Sequence, residues 1–425
     1  MPRKDSVSVL ACDTIAQGRQ ALVFVNAKRS AQKVALDIAK HCTHQHVTLA
    51  QRIQNVLSQP TDQCRALAQC VQKGIAFHHA GLAPEQKQLI EDHFRKGDIH
   101  IIVCTPTLAV GVDLPAYRVI IRDLKRFSGS WGMQYIPVLE YQQMAGRAGR
   151  PGKETLGQAI CVASSAKEVQ TIEEKFIYGQ VEPIYSKLAV EPVLRTYVLS
   201  LLAMGVVQDK QSLLRFFAQT FWAQQYQDMD KLSFIIDKVV QLLQSYHFLD
   251  DTLHVTPLGH RVSELYLDPL TAHHIIEGTK NIDTFSIQSI IQLLCNTLEI
   301  RPLPTIKKHE QEKYLSAEYP ILGQEPSWYD FEYESFLQSL KLTACIHDWL
   351  EEYDEEHIMS TYDIRPGELH AKLNIVDWLL YCASQLCQTH KKEWYDVRIR
   401  SKYGVKEELL PLLRFKGIGR KRARI

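Results

Sequence analysis

Short apolar runs alternate with amphipathic stretches between residues 21 and 162. The first, Ala21-Leu22-Val23-Phe24-Val25, predicts a buried strand ending at Asn26. A helix is expected from Ser30 to Cys42, with Ala31, Val34, Ala35, Ile38 and Ala39 on its inner side. Residues 47–73 have helical character without evident chemistry. Another helix should open near Pro84, where a missing N–H is harmless, and close before Gly97. Ile99 to Cys104, Arg118 to Arg122 and residues 157–162 predict further strands. Such alternation implies an α/β domain with a parallel sheet covered on both faces. Ligands bind these sheets beyond the carboxyl ends of the strands, which points to the loops after Asn26 and at Thr105. Phe127-Ser128-Gly129-Ser130-Trp131-Gly132-Met133 sets turn-forming glycines among aromatics, the pattern of a protruding hairpin or loop.

After about Tyr178 the strand pattern stops. Leu194, Val198, Leu201 and Leu202 predict one helix face, and Phe234, Ile235, Val239, Leu242 and Leu243 another. Residues 248–256 predict a small hairpin turning at Asp250-Asp251. Helices closed by one hairpin suggest a winged helix, a relative of helix-turn-helix DNA binders, although such a unit can equally be a spacer. Residues 265–391 predict a helical domain with a polar insertion around 301–327. Its informative helix opens at Pro366-Gly367 and places Leu369, Leu373, Val376 and Leu380 on one stripe. Trp378 falls on nearly the opposite side with Ala371 and Asn374, where it can stack on a base or pack against another domain.

Composition adds a soluble globular character: 45% hydrophobic and 23% charged residues over 425 positions, enough for about three domains. Ten cysteines show no metal-ligand spacing, so free thiols in a reducing, cytoplasmic setting are expected and no metal site is assigned. Neither a signal peptide nor an apolar run long enough to span a membrane is evident. The net charge of +1 conceals an asymmetry. From Arg398 onward ten cations face only Glu407 and Glu408, as in nucleic-acid-binding tails. Within that tail Lys416-Gly417-Ile418-Gly419-Arg420-Lys421 sets backbone N–H groups and cations where a phosphate could sit. This is the pattern of a helix-hairpin-helix element whose second helix is incomplete.

The densest chemistry is Gln143-Met144-Ala145-Gly146-Arg147-Ala148-Gly149-Arg150. In a helix Gln143, Arg147 and Arg150 would share a face. Gly146 and Gly149 cost such a helix about 1 kcal/mol each, and suggest close approach of a polyanion that the guanidinium forks can grip.

Residues 77–82 (Phe-His-His-Ala-Gly-Leu), residues 105–116 (Thr-Pro-Thr-Leu-Ala-Val-Gly-Val-Asp-Leu-Pro-Ala) and residues 143–150 together resemble the second half of a superfamily 2 helicase. The match is to the archaeal DNA repair helicases related to HELQ and to the helicase domain of polymerase theta, and covers nearly the whole chain. The resemblance implies a second RecA-like domain (1–180), a winged helix (181–264), a helical ratchet domain (265–397) and a basic helix-hairpin-helix tail (398–425). It implies ATP with Mg2+ as cofactors and forked or single-stranded DNA as partner, with 3′–5′ translocation. Arg147 and Arg150 would be arginine fingers, Gln143 would contact the phosphate or its attacking water, and Gly111 and Asp113 would sense nucleotide. Thr105 and Thr107 would approach the DNA backbone, Phe127 and Trp131 would belong to a strand-separating hairpin, and Trp378 would stack on a base. Where relatives carry an arginine on the ratchet helix, His370, Ala371 and Lys372 stand; His370 and Lys372, with Lys416, Gly417, Gly419, Arg420 and Lys421 of the tail, complete the DNA-binding candidates.

No Gly-x-x-x-x-Gly-Lys-Ser/Thr occurs. Asp354-Glu355-Glu356-His357 has the letters of the helicase Asp-Glu-x-His box but follows acidic residues instead of ending an apolar strand, so a charged helix or loop is expected there. The first RecA-like domain, which would hold most of the nucleotide, is therefore expected in another chain or another part of the same protein, and the sequence fits an excised piece, a partial gene product or half of a split enzyme. Two other functions fit the same motifs: a stand-alone DNA-binding or regulatory module, and an RNA helicase relative.

Overall fold

The computed structural model describes every residue except 1, 2, 58, 129–131, 150–155, 189, 281–284, 316–320, 324 and 425, and leaves the side chains of 3–5 undescribed. The chain forms two compact units: Met1–Pro183 with Asp354–His370, and Ile184–Tyr353 with Ala371–Ile425. Residues 354–370 belong to the unit that holds the sheet.

In the first unit β1 (Ala21–Phe24), β2 (Ile75–His78), β3 (Ile101–Cys104), β4 (Arg118–Ile121) and β7 (Gln158–Cys161) form a parallel sheet in the order β2-β3-β1-β4-β7. Every residue of β1 to β4 is buried, which explains their apolar character, broken only by His78 at the end of β2 and Arg118 at the start of β4: both faces lie under helices. The register pairs His78 with Cys104, Cys104 with Phe24, and Phe24 with Ile121. Four loops therefore leave one edge of the sheet at one level. Helix Lys28–Ala39 buries Ala31, Ala35, Ile38 and Ala39, as the pattern predicted. Helix Pro84–Lys96 begins and ends where expected. Helix Arg3–Ala16 and strand β2 were not foreseen.

β5 (Lys125–Phe127) and β6 (Met133–Tyr135) pair antiparallel, with Phe127 opposite Met133, the strand pairing that the predicted hairpin requires. Phe127 is 72% exposed and Met133 55%.

The second unit is helical. Helix Glu191–Ala203 buries Leu194, Val198, Leu201 and Leu202 as expected. Helix Met229–Ser245 instead buries Leu232, Ile236, Val239 and Leu243. The predicted face was misphased: Phe234 is 59% exposed, with the Lys238 ammonium 4.5 Å from its ring centroid. The hairpin at 248–256 reduces to one bridge, Leu249 with Val255, and the Asp250 carboxylate accepts the Thr252 and His254 N–H groups at 2.8 Å in its turn. Helix Pro366–Leu386 buries Leu369, Leu373, Val376 and Leu380 as predicted. All ten cysteines are free and eight are buried. Among the described residues no helix is long and apolar enough to cross a membrane.

Buried cations fix the helical unit. Arg195 donates to both oxygens of Asp268 (2.6 and 2.8 Å), and Asp268 also caps helix Pro269–Thr279 through the Leu270 N–H at 2.8 Å. Lys341, 2% exposed, reaches Glu310 at 3.0 Å and the Thr305 carbonyl at 3.1 Å, tying down the polar insertion. Removing one partner of such a pair strands a desolvated charge. Asp268→Ala is expected to cost about 3–5 kcal/mol, read as a lower urea midpoint of the helical signal; an unchanged midpoint would show the pair to be dispensable.

Candidate functional site

The loop edge of the sheet collects most of the motif residues. β3 ends at Cys104, and Thr105 and Thr107 follow with their hydroxyls 2.9 Å apart. Helix Thr107–Gly111 buries Leu108 and Ala109 and leaves Gly111 exposed at its end. Asp113 stands just beyond, its side chain 90% exposed.

Helix Val138–Ala145 brings Gln143 to the surface and packs Met144 into the core. Its N-cap, Pro137, has no capping side chain, so the Glu182 carboxylate accepts from Val138 N (2.7 Å) and Leu139 N (3.2 Å). These backbone bonds hold the Glu182 pKa below the usual carboxylate range. Arg126 on the hairpin pairs with Glu140 of this helix at 2.8 Å, joining hairpin and motif.

The helix ends at Ala145, so the expected helical face through Gln143, Arg147 and Arg150 does not form. Arg147 is positioned by its backbone instead: its carbonyl accepts from Ala116 N at 2.9 Å, and Ala148 bridges Ala116. Gly149 has φ +94°, and a Cβ on Gly157 would lie 2.3 Å from the Gly149 nitrogen. Both glycines are required by the chain path itself. Arg150 and Trp131 lie outside the described residues.

The Arg147 guanidinium donates from Nε (3.2 Å) and Nη2 (2.5 Å) to the Ala109 carbonyl, and from Nη1 to Asp113 at 2.9 Å. Guanidinium has five donors. Three are used among the described residues, leaving one N–H on each terminal nitrogen. Two donors on one guanidinium can grip two oxygens of one phosphate. Asp113 is too exposed for its bond to be strong, so an arriving phosphate can displace it. The residues present fit one wall of a nucleotide site, the wall that meets phosphate. Asp354 is no part of it: its carboxylate caps helix Glu355–Tyr362 through the His357 N–H at 2.8 Å, as a charged helix start should.

The remaining candidates lie elsewhere. Trp378 is half-buried, beside exposed Ala371 and Asn374. Lys372 donates to the carbonyls of Ile300 and Pro302, and burial lowers its pKa. His370 is half-buried at the end of the first unit. Lys416 and Gly417 are exposed, Gly419 caps the short helix Arg420–Ala423, and Lys421 is exposed on it. Arg420 donates to the Glu352 carbonyl and lies 5.0 Å from the centroid of the Trp349 ring.

Residues 5–152 match the family model for the helicase conserved C-terminal domain, and residues 288–404 that for archaeal helicase, domain 4. The chain is 36% identical to the ATP-dependent DNA helicase Hel308 of Methanocella arvoryzae, an alignment covering 99% of this chain and 59% of that protein. The Hel308 of Pyrococcus horikoshii is 35% identical over 98% and 60%, and that of Methanococcus vannielii 32% over 99% and 63%. The chain is similar over nearly its whole length to these Hel308 helicases. It spans about three-fifths of the length of these curated relatives. The parallel sheet followed by a helical unit is the expected order of a helicase C-terminal portion.

A buried cluster at the loop edge of the sheet was not foreseen. His79 is fully buried; its Nδ1 accepts the Gly81 N–H at 3.1 Å, and its Nε2 has no partner among the described residues. Burial, reinforced by Arg365 and Lys28, pushes its pKa down to about 3. Its contact with residue 365 spans too much sequence for any local pattern to signal. The unfolded histidine takes up a proton near pH 6.5, whereas the native one does so only near 3. Stability is therefore intact above pH 6.5 and is lost as pH falls through that window, by up to about 1.4 kcal/mol per pH unit. We expect the urea midpoint to fall between pH 7 and pH 4, and to fall less steeply in His79→Gln; parallel pH curves for the two proteins would refute the assignment.

Proposed function

We propose that the chain is the C-terminal portion of an ATP-dependent 3′–5′ DNA helicase that opens forked or branched DNA during repair and recombination, on the nucleoid in the cytoplasm. Its share of the nucleotide site is the Arg147 fork, with Gln143 and Arg150 beside it and Gly111 and Asp113 sensing occupancy. ATP and Mg2+ are held mainly by a first RecA-like domain, in cis or as a separate subunit. The observation that carries the reading is the pair of N–H donors left on Arg147 at the loop edge of the sheet. A guanidinium so placed stabilises charge as a γ-phosphate leaves.

Thr105 and Thr107 approach the DNA backbone from the same edge. The hairpin bearing Phe127 and Trp131 separates strands; the exposure of Phe127 and its join to helix Val138–Ala145 support this. Trp378 stacks on a base of the translocating strand, and His370, Lys372 and the tail residues Lys416, Gly417, Gly419, Arg420 and Lys421 guide the backbone. The names of the relatives support DNA over RNA.

Mixing the chain with a separately made first domain carrying the phosphate loop is expected to yield DNA-stimulated ATP hydrolysis. Arg147→Ala should reduce it by about 10³-fold, the scale of an arginine finger. Hydrolysis by the chain alone at the rate of the mixture would overturn the reading, as would an unaffected Arg147→Ala mixture.

A further inference from the structure

Residues 354–370 lie far along the chain from residues 28–82, yet belong to the same compact unit. Each contact is specific. Gln63 is 2% exposed; its side-chain N–H donates to the Gly81 carbonyl at 2.9 Å, and its oxygen accepts from Arg365 Nη1 at 2.7 Å. The same Gly81 carbonyl accepts the Gly367 N–H at 3.2 Å. Lys28 pairs with Glu368, Arg29 with Asp363 at 3.1 Å, and Glu356 accepts the Asp62 N–H at 2.8 Å.

Neither glycine of this contact has room for a side chain: Gly81 lies against the Arg365 side chain and Gly367 against the backbone of Ala80 and Leu82. A Cβ on Gly81 would lie 2.4 Å from Arg365 Cδ, and one on Gly367 would lie 2.1 Å from the Leu82 carbonyl oxygen. Both glycines are needed for contact. Arg365 is buried with an amide as its described hydrogen-bond partner, and burial lowers its pKa. A guanidinium desolvated without a bidentate carboxylate adds little stability compared with an apolar side chain. What it provides is direction, since Gln63 accepts it in one geometry only.

Helix Pro366–Leu386 starts on this clasp, and Trp378 follows Gly367 in the same helix by eleven residues, about 16 Å along its axis. We infer that Arg365 is a positioning residue: with Gly367 and the Lys28–Glu368 pair, it locks the first turn of the Trp378 helix to residues 79–82 at the loop edge of the sheet. Movement of that edge during the nucleotide cycle is thereby delivered to the helix that stacks on DNA. This rests on the helicase reading, and it assigns the coupling of hydrolysis to strand movement to residues that touch neither ATP nor DNA.

The test uses the chain combined with its phosphate-loop domain. Arg365→Ala and Gly367→Ala should keep DNA-stimulated ATP turnover and KM for ATP within about twofold, while unwinding of a forked duplex falls by about tenfold or more. Lys28→Glu should weaken unwinding in the same selective way, and Lys28→Glu/Glu368→Lys should restore it, a rescue that loss of folding would not show. Parent-like unwinding in all three single variants overturns the inference, and so does an ATPase loss as large as the unwinding loss. In the chain alone, Arg365→Ala should speed amide exchange at Gly81 and Gly367 while leaving helix Met229–Ser245 unchanged; no change there also overturns it. If the parent mixture shows no DNA-stimulated hydrolysis, the helicase reading fails instead, and the exchange experiment alone decides whether the clasp exists.

Discussion

The register that sets His78, Cys104, Phe24 and Ile121 side by side is the constraint on which the rest depends. In a parallel sheet a slip of one residue would turn every side chain of a strand to the opposite face. With the ends level, the loops at 79–82, 105–113 and 122–124 and the turn after Phe24 open on one side. Arg147 reaches Ala109 and Asp113 only because the loop after β3 stands at that height. Gly81 and Leu82 meet Gly367 for the same reason.

Long cationic side chains then carry orientation through the interior. Arg118 joins Asp13, Thr14 and Gln158 from inside β4; Arg195 joins Asp268; Lys341 joins Glu310; Arg400 joins Glu351 and the Val405 carbonyl. Their stems pack as hydrocarbon while their heads satisfy carbonyls and carboxylates. Desolvation offsets much of the attraction in each pair, so their value lies in fixing one arrangement. Arg365 is the extreme of this set, because an amide replaces the carboxylate.

Legibility followed locality. The strands with continuous apolar runs, the helix between Pro84 and Gly97, and the Leu369–Leu380 stripe were all evident, because each is dictated by residues within a few turns of one another. Helix Arg3–Ala16 was not, since among its described residues the buried side is Val7, Ala11 and Thr14, too small to make a pattern. In helix Met229–Ser245 apolar residues surround most of the axis, and the phase was taken from Phe234, which the structure exposes. The Gln143–Arg150 stretch reads from sequence as a phosphate motif whose shared face depends on its being helical, whereas the chain leaves the helix at Gly146 and is held by Ala116. Nothing local to residues 354–370 indicates the sheet as their partner.

The basic tail shows how a charge count and a charge field differ. Its ten cations suggest a strong attraction for any polyanion. Yet Arg398 is held by Asp377 at 2.8 and 3.0 Å, Arg400 by Glu351 at 3.2 Å, Lys406 by the same carboxylate at 3.5 Å, and Arg424 by Glu352 and Glu408. A cation already neutralised by a carboxylate neutralises less phosphate charge, displaces fewer of the counterions condensed on the nucleic acid, and so contributes little to binding. Lys402, Arg414 and Lys416 remain exposed. The attraction of this segment for nucleic acid is therefore that of a few placed charges, and the pairs beneath them serve to hold those charges in position.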